Sequence, residues 1–212
     1  MKPSVLRSIF CIATLAGVCA LVRQVNAQNI VADPGFEASA DDPNGNAFSP
    51  AWTLVETNGF SVVGGDSALA HSGNNYAALS PDFDATGSLF QTLSTTPGAS
   101  YDFSFWMAHD VSTAIDTTNF IEVFWNGAPA PVWSFPDVQV QGYLNYVVPN
   151  LTATGTSTTL EFRYHDNDDF FRVDDVSVTA AVPEPSTVSF AMVGFGLLAL
   201  SFGVRAKFRG AA

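Results

Sequence analysis

The chain has 212 residues, with 20 Asp+Glu against 8 Lys+Arg for a formal net charge of −12, and 47% of its residues are hydrophobic while only 13% are charged. That apolar content, with 18 Phe, excludes a disordered acidic tail. The acidic excess excludes nucleic-acid binding, which needs clustered Lys and Arg against phosphate, and the length accommodates one core domain with appendages.

At the N-terminus, Lys2 and Arg7 precede an apolar stretch from Ser8 to Leu21, and Val25-Asn26-Ala27 ends in a small residue. A basic start, a short apolar run and a small final residue predict a secretory signal peptide over 1–27, cleaved after Ala27. Both cysteines, Cys11 and Cys19, fall inside it. The exported domain therefore has neither disulfides nor Cys-ligated zinc to hold it together.

Residues 28–181 form the second segment, long enough to bury about 68–70% of the unfolded surface. No long stretch shows helical apolar spacing, whereas period-two runs are frequent. In 100–107, Tyr101, Phe103, Phe105 and Met107 share one face and Asp102, Ser104 and Trp106 the other. In 159–164, Leu160, Phe162 and Tyr164 oppose Glu161 and Arg163. The run 119–125 is apolar on both faces. Further strands are predicted over 52–56, 60–63, 76–80, 88–94, 131–135, 143–148 and 170–179. Turn signals separate them, among them Asn58-Gly59, Gly64-Gly65, Pro97-Gly98 and Asn126-Gly127. About ten short strands with regular turns predict an all-β antiparallel sandwich. In the last strand Phe171 and Val173 occupy odd positions but Val176 and Val178 even ones, so a β-bulge is expected at Asp174-Asp175.

The C-terminus continues with Val182-Pro183-Glu184-Pro185-Ser186 as a linker, 182–186. Residues 187–204 carry no charge over 18 positions, about 27 Å as a helix and close to the ~30 Å hydrocarbon core, which predicts a transmembrane helix. Arg205, Lys207 and Arg209 follow in a basic tail, 205–212, that is expected to stay cytoplasmic.

Pro183-Glu184-Pro185, the apolar helix and the basic cluster, in that order, resemble the PEP-CTERM sorting signal. The resemblance covers about the last 30 residues. It implies processing by exosortase, a membrane-embedded protease or transpeptidase, in a Gram-negative bacterium that makes extracellular polysaccharide. The plain alternative is an ordinary single-pass membrane anchor with a proline-rich linker.

A second resemblance runs through the exported segment. Asn29-Ile30-Val31, Pro34-Gly35-Phe36-Glu37, His71-Ser72-Gly73 with Tyr76-Ala77-Ala78-Leu79, Leu89-Phe90-Gln91-Thr92-Leu93, Pro97 to Phe105, and the closing Val173-Asp174-Asp175-Val176-Ser177-Val178 occur in sequence. This order is similar to the galactose-binding-like jelly roll of many carbohydrate-binding modules. It implies a structural Ca²⁺ between the first and last strands, held by Glu37, by Asp174 or Asp175, and by backbone oxygens near Ser72 and Asn75, with Asp33 and Asp66 as weaker candidates. Oxygen donors of this kind suit a hard cation. The alternative is that Glu37 caps a turn and the Asp pair faces water.

His165-Asp166-Asn167-Asp168-Asp169 is a second acidic cluster, read as a solvated turn or as the rim of a ligand site; it lacks the glycine and distal Glu of an EF-hand. Trp106, Trp125 and Trp133 are the candidate sugar platforms, since an aromatic face packs on the C–H face of a pyranose. The opposing expectation is burial, because Trp is highly buried on average. The carboxylate pair Asp174-Asp175 is the one candidate for glycosidase chemistry, and no nucleophile elbow, His-Glu-x-x-His or P-loop is present.

The sequence thus reads as an exported, non-catalytic protein that binds or associates with extracellular polysaccharide, anchored in the membrane through its C-terminal helix until processed. A structural matrix or adhesion protein without a sugar site is the alternative, and a glycoside-active enzyme a distant third. Only Arg163 and Arg172 stand against 19 acids in 28–181, a formal −17. Such a surface repels anionic polymers and attracts divalent cations, which turns the expectation toward neutral or cation-bridged glycans.

Overall fold

The computed structural model describes residues 27–38, 48–56, 59–80, 85–109, 118–136, 141–166 and 169–181. All of them lie in the first of two units, which ends at Ala181; the second spans Val182–Ala212. Residues 1–26 of the signal peptide, Pro183, Glu184, Pro185, the 187–204 span and the basic tail lie outside the described residues. Among the described residues no helix is long and apolar enough to cross a membrane.

Among the described residues ten strands form: β1 (Thr53–Val55), β2 (Val62–Gly64), β3 (Tyr76–Leu79), β4 (Gly87–Ser94), β5 (Ser100–His109), β6 (Phe120–Trp125), β7 (Trp133–Pro136), β8 (Gln141–Thr152), β9 (Ser157–His165) and β10 (Phe171–Ala180). Each overlaps a predicted strand, and β8 runs well past its predicted 143–148 at both ends. They build two five-stranded sheets in the orders β1-β4-β9-β6-β7 and β2-β3-β10-β5-β8, with antiparallel pairings throughout. The result is an all-β two-layer sandwich.

Alternation decides which side chains go between the layers. Phe103, Phe105 and Met107 of β5, Leu160, Phe162 and Tyr164 of β9, and Ile121 and Val123 of β6 are fully buried. Phe162 meets Phe103 at 6.1 Å and Phe105 at 5.3 Å, so the two sheets interlock through phenyl rings. Burial of each such side chain contributes about 1.5–3 kcal/mol. Phe124, on the outer face of β6, is also buried because the Arg163 guanidinium lies 4.0 Å above its ring. That Arg is held in place by Glu161, which accepts from Arg163 Nε at 2.8 Å and Nη2 at 3.0 Å and from Ser88 Oγ at 2.8 Å. Burial works to raise the Glu161 pKa, but the hydrogen bonds from Arg163 and Ser88 win and hold it below its ordinary value.

The chain ahead of β1 is fastened to β10. Ile30 N–H donates to the Val178 carbonyl at 2.9 Å and Val176 N–H to the Pro34 carbonyl at 2.8 Å. The Asn29 amide accepts from Val178 N–H at 2.9 Å and donates to the Val176 carbonyl at 3.0 Å. Gln91 clamps Ala32 in the same way, through 2.7 Å and 2.9 Å bonds. This fixes the approach of Phe36, whose φ of 58° drives its ring into the core against Trp52 at 5.4 Å. The opening and closing segments are therefore neighbours, as the resemblance implies.

Candidate functional site

Three carboxylates gather where these segments meet the loop ahead of β3. The β10 ladder slips between Asp174, opposite Trp106, and Ser177, opposite Ser104. One extra residue is accommodated there with Asp175 at φ 48°, which is the expected bulge. The bulge turns both Asp side chains toward one place: a Cβ on Gly35 would sit 3.5 Å from Asp174 Oδ1, 3.6 Å from Asp175 Oδ1 and 3.9 Å from Glu37 Cγ.

Asp174 is wholly buried. Its Oδ2 accepts from the backbone N–H of His71 at 2.9 Å and of Ser72 at 3.1 Å, and its Oδ1 from Asp175 N–H at 2.7 Å. Burial, aided by the neighbouring Asp175 charge, nevertheless pushes its pKa up to about 6. Asp175 accepts from Ser72 Oγ at 2.8 Å and lies 2.6 Å from His71 Nδ1. Glu37 Oε1 takes the N–H groups of Asn74 at 2.6 Å and Asn75 at 2.8 Å, while Asn75 Nδ2 donates to the Phe36 carbonyl at 3.2 Å. Gly73, at φ 65°, is required: a Cβ there would stand 2.2 Å from Glu37 Oε1.

Glu37, Asp174 and Asp175 thus face one loop, where Ser72 and Asn75 give them backbone N–H groups, and carboxylate oxygens are hard donors of the kind Ca²⁺ takes. Glu37 also caps a turn, as the plain reading had it. Among the described residues no group of three or more His, Cys, Asp or Glu side chains is arranged around a single point to hold a metal ion. The weaker candidates are local: Asp66 Oδ1 caps Ala68 N–H at 2.9 Å and Asp33 Oδ1 caps Ala38 N–H at 2.8 Å.

The three tryptophans part company. Trp125 is only 5% exposed, packs against Tyr101 and donates its indole N–H to the Thr152 carbonyl at 3.0 Å. Its faces are core surface, which removes it as a sugar platform. Trp106 is half-buried on the outer face of the second sheet and lies beneath the His71 ring. Trp133 is half-buried on the edge strand β7. It contacts Tyr146 at 4.8 Å, Phe105 at 5.1 Å and Phe135 at 6.0 Å, so an aromatic seam runs where β7 approaches β8.

The sequence reading names His71 and Arg172 but gives neither a role at the site. Arg172 Nη1 and Tyr143 Oη both donate to the Leu69 carbonyl, at 2.9 Å and 3.0 Å, tying the loop that carries His71 to the outer face of β10 and β8. The acidic cluster at 165–169 also departs from expectation. Asp166 is buried rather than solvated, because His109 Nε2 donates to its Oδ2 at 2.8 Å and Asp169 N–H to its Oδ1 at 3.2 Å; Asn167 and Asp168 lie outside the described residues. At the same end Tyr164 bridges Ser61 at 2.9 Å and Glu56 at 3.1 Å, and burial, with the Glu56 charge, pushes its pKa above the ordinary value.

Among known proteins, residues 181–207 match the model of the PEP-CTERM protein-sorting motif. No curated protein matches the chain. Its fold is similar to the enzymatically active domain of tailspike protein 4 from bacteriophage CBA120, with TM-score 0.51, 15% identity, and 72% of this chain and 21% of that one covered. It is also similar to the CBM22-1–GH10 modules of Clostridium thermocellum xylanase 10B, solved with xylohexaose, with TM-score 0.50, 14% identity, and 74% and 29% covered. TmCBM61, solved with β-1,4-galactotriose, aligns over 73% of this chain and 100% of its own at 18% identity and TM-score 0.49. At such identities these likenesses describe fold, and the chain spans less than a third of the first two structures. The chain carries a PEP-CTERM protein-sorting motif, which implies export and an exosortase-type processing partner, after an all-β two-sheet antiparallel sandwich.

Proposed function

We propose that this chain is an exported, non-catalytic surface protein whose sandwich binds neutral extracellular polysaccharide and whose C-terminal signal is cut by an exosortase-type enzyme after transient anchoring through 187–204. The observation that carries the reading is the half-buried aromatic seam of Trp133, Phe135 and Tyr146. It offers ring surface to a pyranose C–H face on a domain whose charge repels anionic polymers. Trp106 is the second platform, open to sugar where His71 leaves it uncovered. The modules this fold resembles were solved with xylohexaose and β-1,4-galactotriose, so β-1,4-linked neutral glycans are the first ligands to try.

Ca²⁺ is proposed as a structural ion at the acidic convergence, supported by three carboxylates beside a single His and by the charge burial that raises the Asp174 pKa. Glu37 and Asp174 would hold it, with Asp175 and backbone oxygens near Ser72 and Asn75. Bound there, it would neutralise the carboxylates and lock the loop onto β10. A thermal midpoint that is the same in EGTA and in excess Ca²⁺ would refute the ion.

Binding of a panel of neutral and acidic polysaccharides to the full chain tests the main reading. Trp133→Ala is expected to weaken neutral-glycan binding about tenfold, ~1.4 kcal/mol, with a folded circular-dichroism spectrum. Absence of binding to every neutral glycan, or binding indifferent to both Trp133→Ala and Trp106→Ala, would favour a structural matrix protein instead.

A further inference from the structure

Each sheet has two edges, and three of the four are blunt: β1 and β2 have 3 residues each and β7 has 4. The fourth, β8, runs for 12 residues, Gln141–Thr152, and among the described residues it is paired to β5 alone. Proteins guard long edges with charge, and β8 has none: its sequence QGYLNYVVPNLT contains no Asp, Glu, Lys or Arg, in a domain with 19 acids. It also holds two of the five exposed large apolar side chains among the described residues, Leu144 at 51% and Val147 at 59%.

From these features we infer that β8 is a self-association edge, whose occupant is β8 of a second copy of this chain. A partner strand must be equally long, charge-free and open, and among the described strands β8 alone meets that description. Charge adds to the argument. Two domains at −17 repel one another over most of their surfaces, so a two-fold contact is tolerable only where like meets like without charge.

The register follows from the pleat. Opposed residues in an antiparallel pair point to the same face, and a two-fold axis normal to the sheet preserves faces, so each residue must meet one of its own parity. The regular section of β8 is set by its pairing to β5. Asn145 and Val147 share the outer face with Trp106 and Ser104, whereas Leu144, Tyr146 and Val148 share the core side with Met107, Phe105 and Phe103. Bulges interrupt the ladder on either side of that section, between Met107 and His109 and between Tyr101 and Phe103, and Pro149 has no N–H to donate. Centring the axis on Asn145 keeps that parity and sets each exposed apolar side chain opposite a tyrosine. Asn145 meets its own copy amide to amide, Tyr143 meets Val147 on the outer face, and Leu144 meets Tyr146 on the core side. Both apolar side chains now exposed gain cross-strand partners. The two second sheets become one sheet of ten strands.

The test uses the full chain. By sedimentation, wild type is expected to dimerise, and Val147→Asp is expected to raise the dimer dissociation constant by at least about tenfold with an unchanged thermal midpoint. Disulfide trapping reads the register. In a background with Cys11→Ser and Cys19→Ser the chain has no cysteine, and Asn145→Cys is expected to form an intermolecular disulfide on mild oxidation. Opposed Cα atoms of an antiparallel pair lie about 4.5–5.5 Å apart, within disulfide reach. Val147→Cys would stand four residues from its copy, roughly 13 Å, and is expected to cross-link no faster than Ser134→Cys on β7. A monomeric wild type, association unaffected by Val147→Asp, or equal cross-linking at positions 145 and 134 would each overturn the proposal.

Discussion

His71 lies flat on Trp106, with ring centroids 3.9 Å apart and planes 16° from parallel, while its Nδ1 stands 2.6 Å from Asp175. One imidazole thus joins the acidic convergence to the outer face of the second sheet. His71→Ala is expected to uncover the Trp106 indole and shift tryptophan emission to the red, at a cost of about 1 kcal/mol in denaturant unfolding. An unchanged spectrum would mean that the stack does not persist in solution.

Asp174 gives the domain an acid-strengthened stability. Its folded pKa, about 6, exceeds the ordinary aspartate value of 3.8, so the folded state binds the proton more tightly than the unfolded chain. Stability therefore rises as pH falls through 6 toward 4, by up to about 3 kcal/mol from this group. In EGTA, unfolding of the wild type at pH 7 and at pH 5 is expected to show that rise, and Asp174→Asn is expected to flatten it. Equal slopes for the two proteins would rule out Asp174 as the source.

Gly73→Ala imposes a side chain at φ 65° and drives it into Glu37 Oε1. Glu37 must swing away and abandon the Asn74 and Asn75 N–H groups. The expected loss is about 1–3 kcal/mol, together with any stabilisation by added Ca²⁺. Thermal scans of the variant with and without Ca²⁺ measure both.

Asp166→Ala leaves His109 buried against Phe171 with neither ring nitrogen engaged among the described residues, where Nδ1 already has no hydrogen-bond partner. A loss of roughly 3–5 kcal/mol is expected, with Asp166→Asn milder. Chemical denaturation of the three proteins gives the order.

The strands were legible because alternation is a property of neighbouring residues: Tyr101, Phe103, Phe105 and Met107 announce their shared face without knowledge of anything else. The bulge was legible for the same reason, as a break in parity between Val173 and Val176. What covers an outer face was not. Trp106 and Trp125 both lie near the ends of predicted strands, yet Trp106 points outward under a loop and Trp125 points into the core, because strand parity places one on each side. Asp166 was read as solvated because four polar neighbours surround it in sequence. Its burial depends on His109, 57 residues earlier, whose own strand shows only that it is the last residue of β5. Glu37, Asp174 and Asp175 were named through a motif order, but Gly73, which lets Glu37 approach the loop, carries no chemistry to notice.

β10 is the last strand before the sorting motif, and it lies at the centre of its sheet, laddered to β3 on one side and β5 on the other, with the Asn29–Pro34 segment bonded to its latter half. A pull on the chain beyond Ala181 therefore enters the domain along the axis of that strand. Peeling an edge strand breaks its hydrogen bonds one after another, whereas drawing β10 out lengthwise requires the bonds on both flanks to slide together. The strand that positions Asp174 and Asp175 is thus the first to take up load applied at the C-terminal end of the domain, with hydrogen bonds on both flanks to resist it.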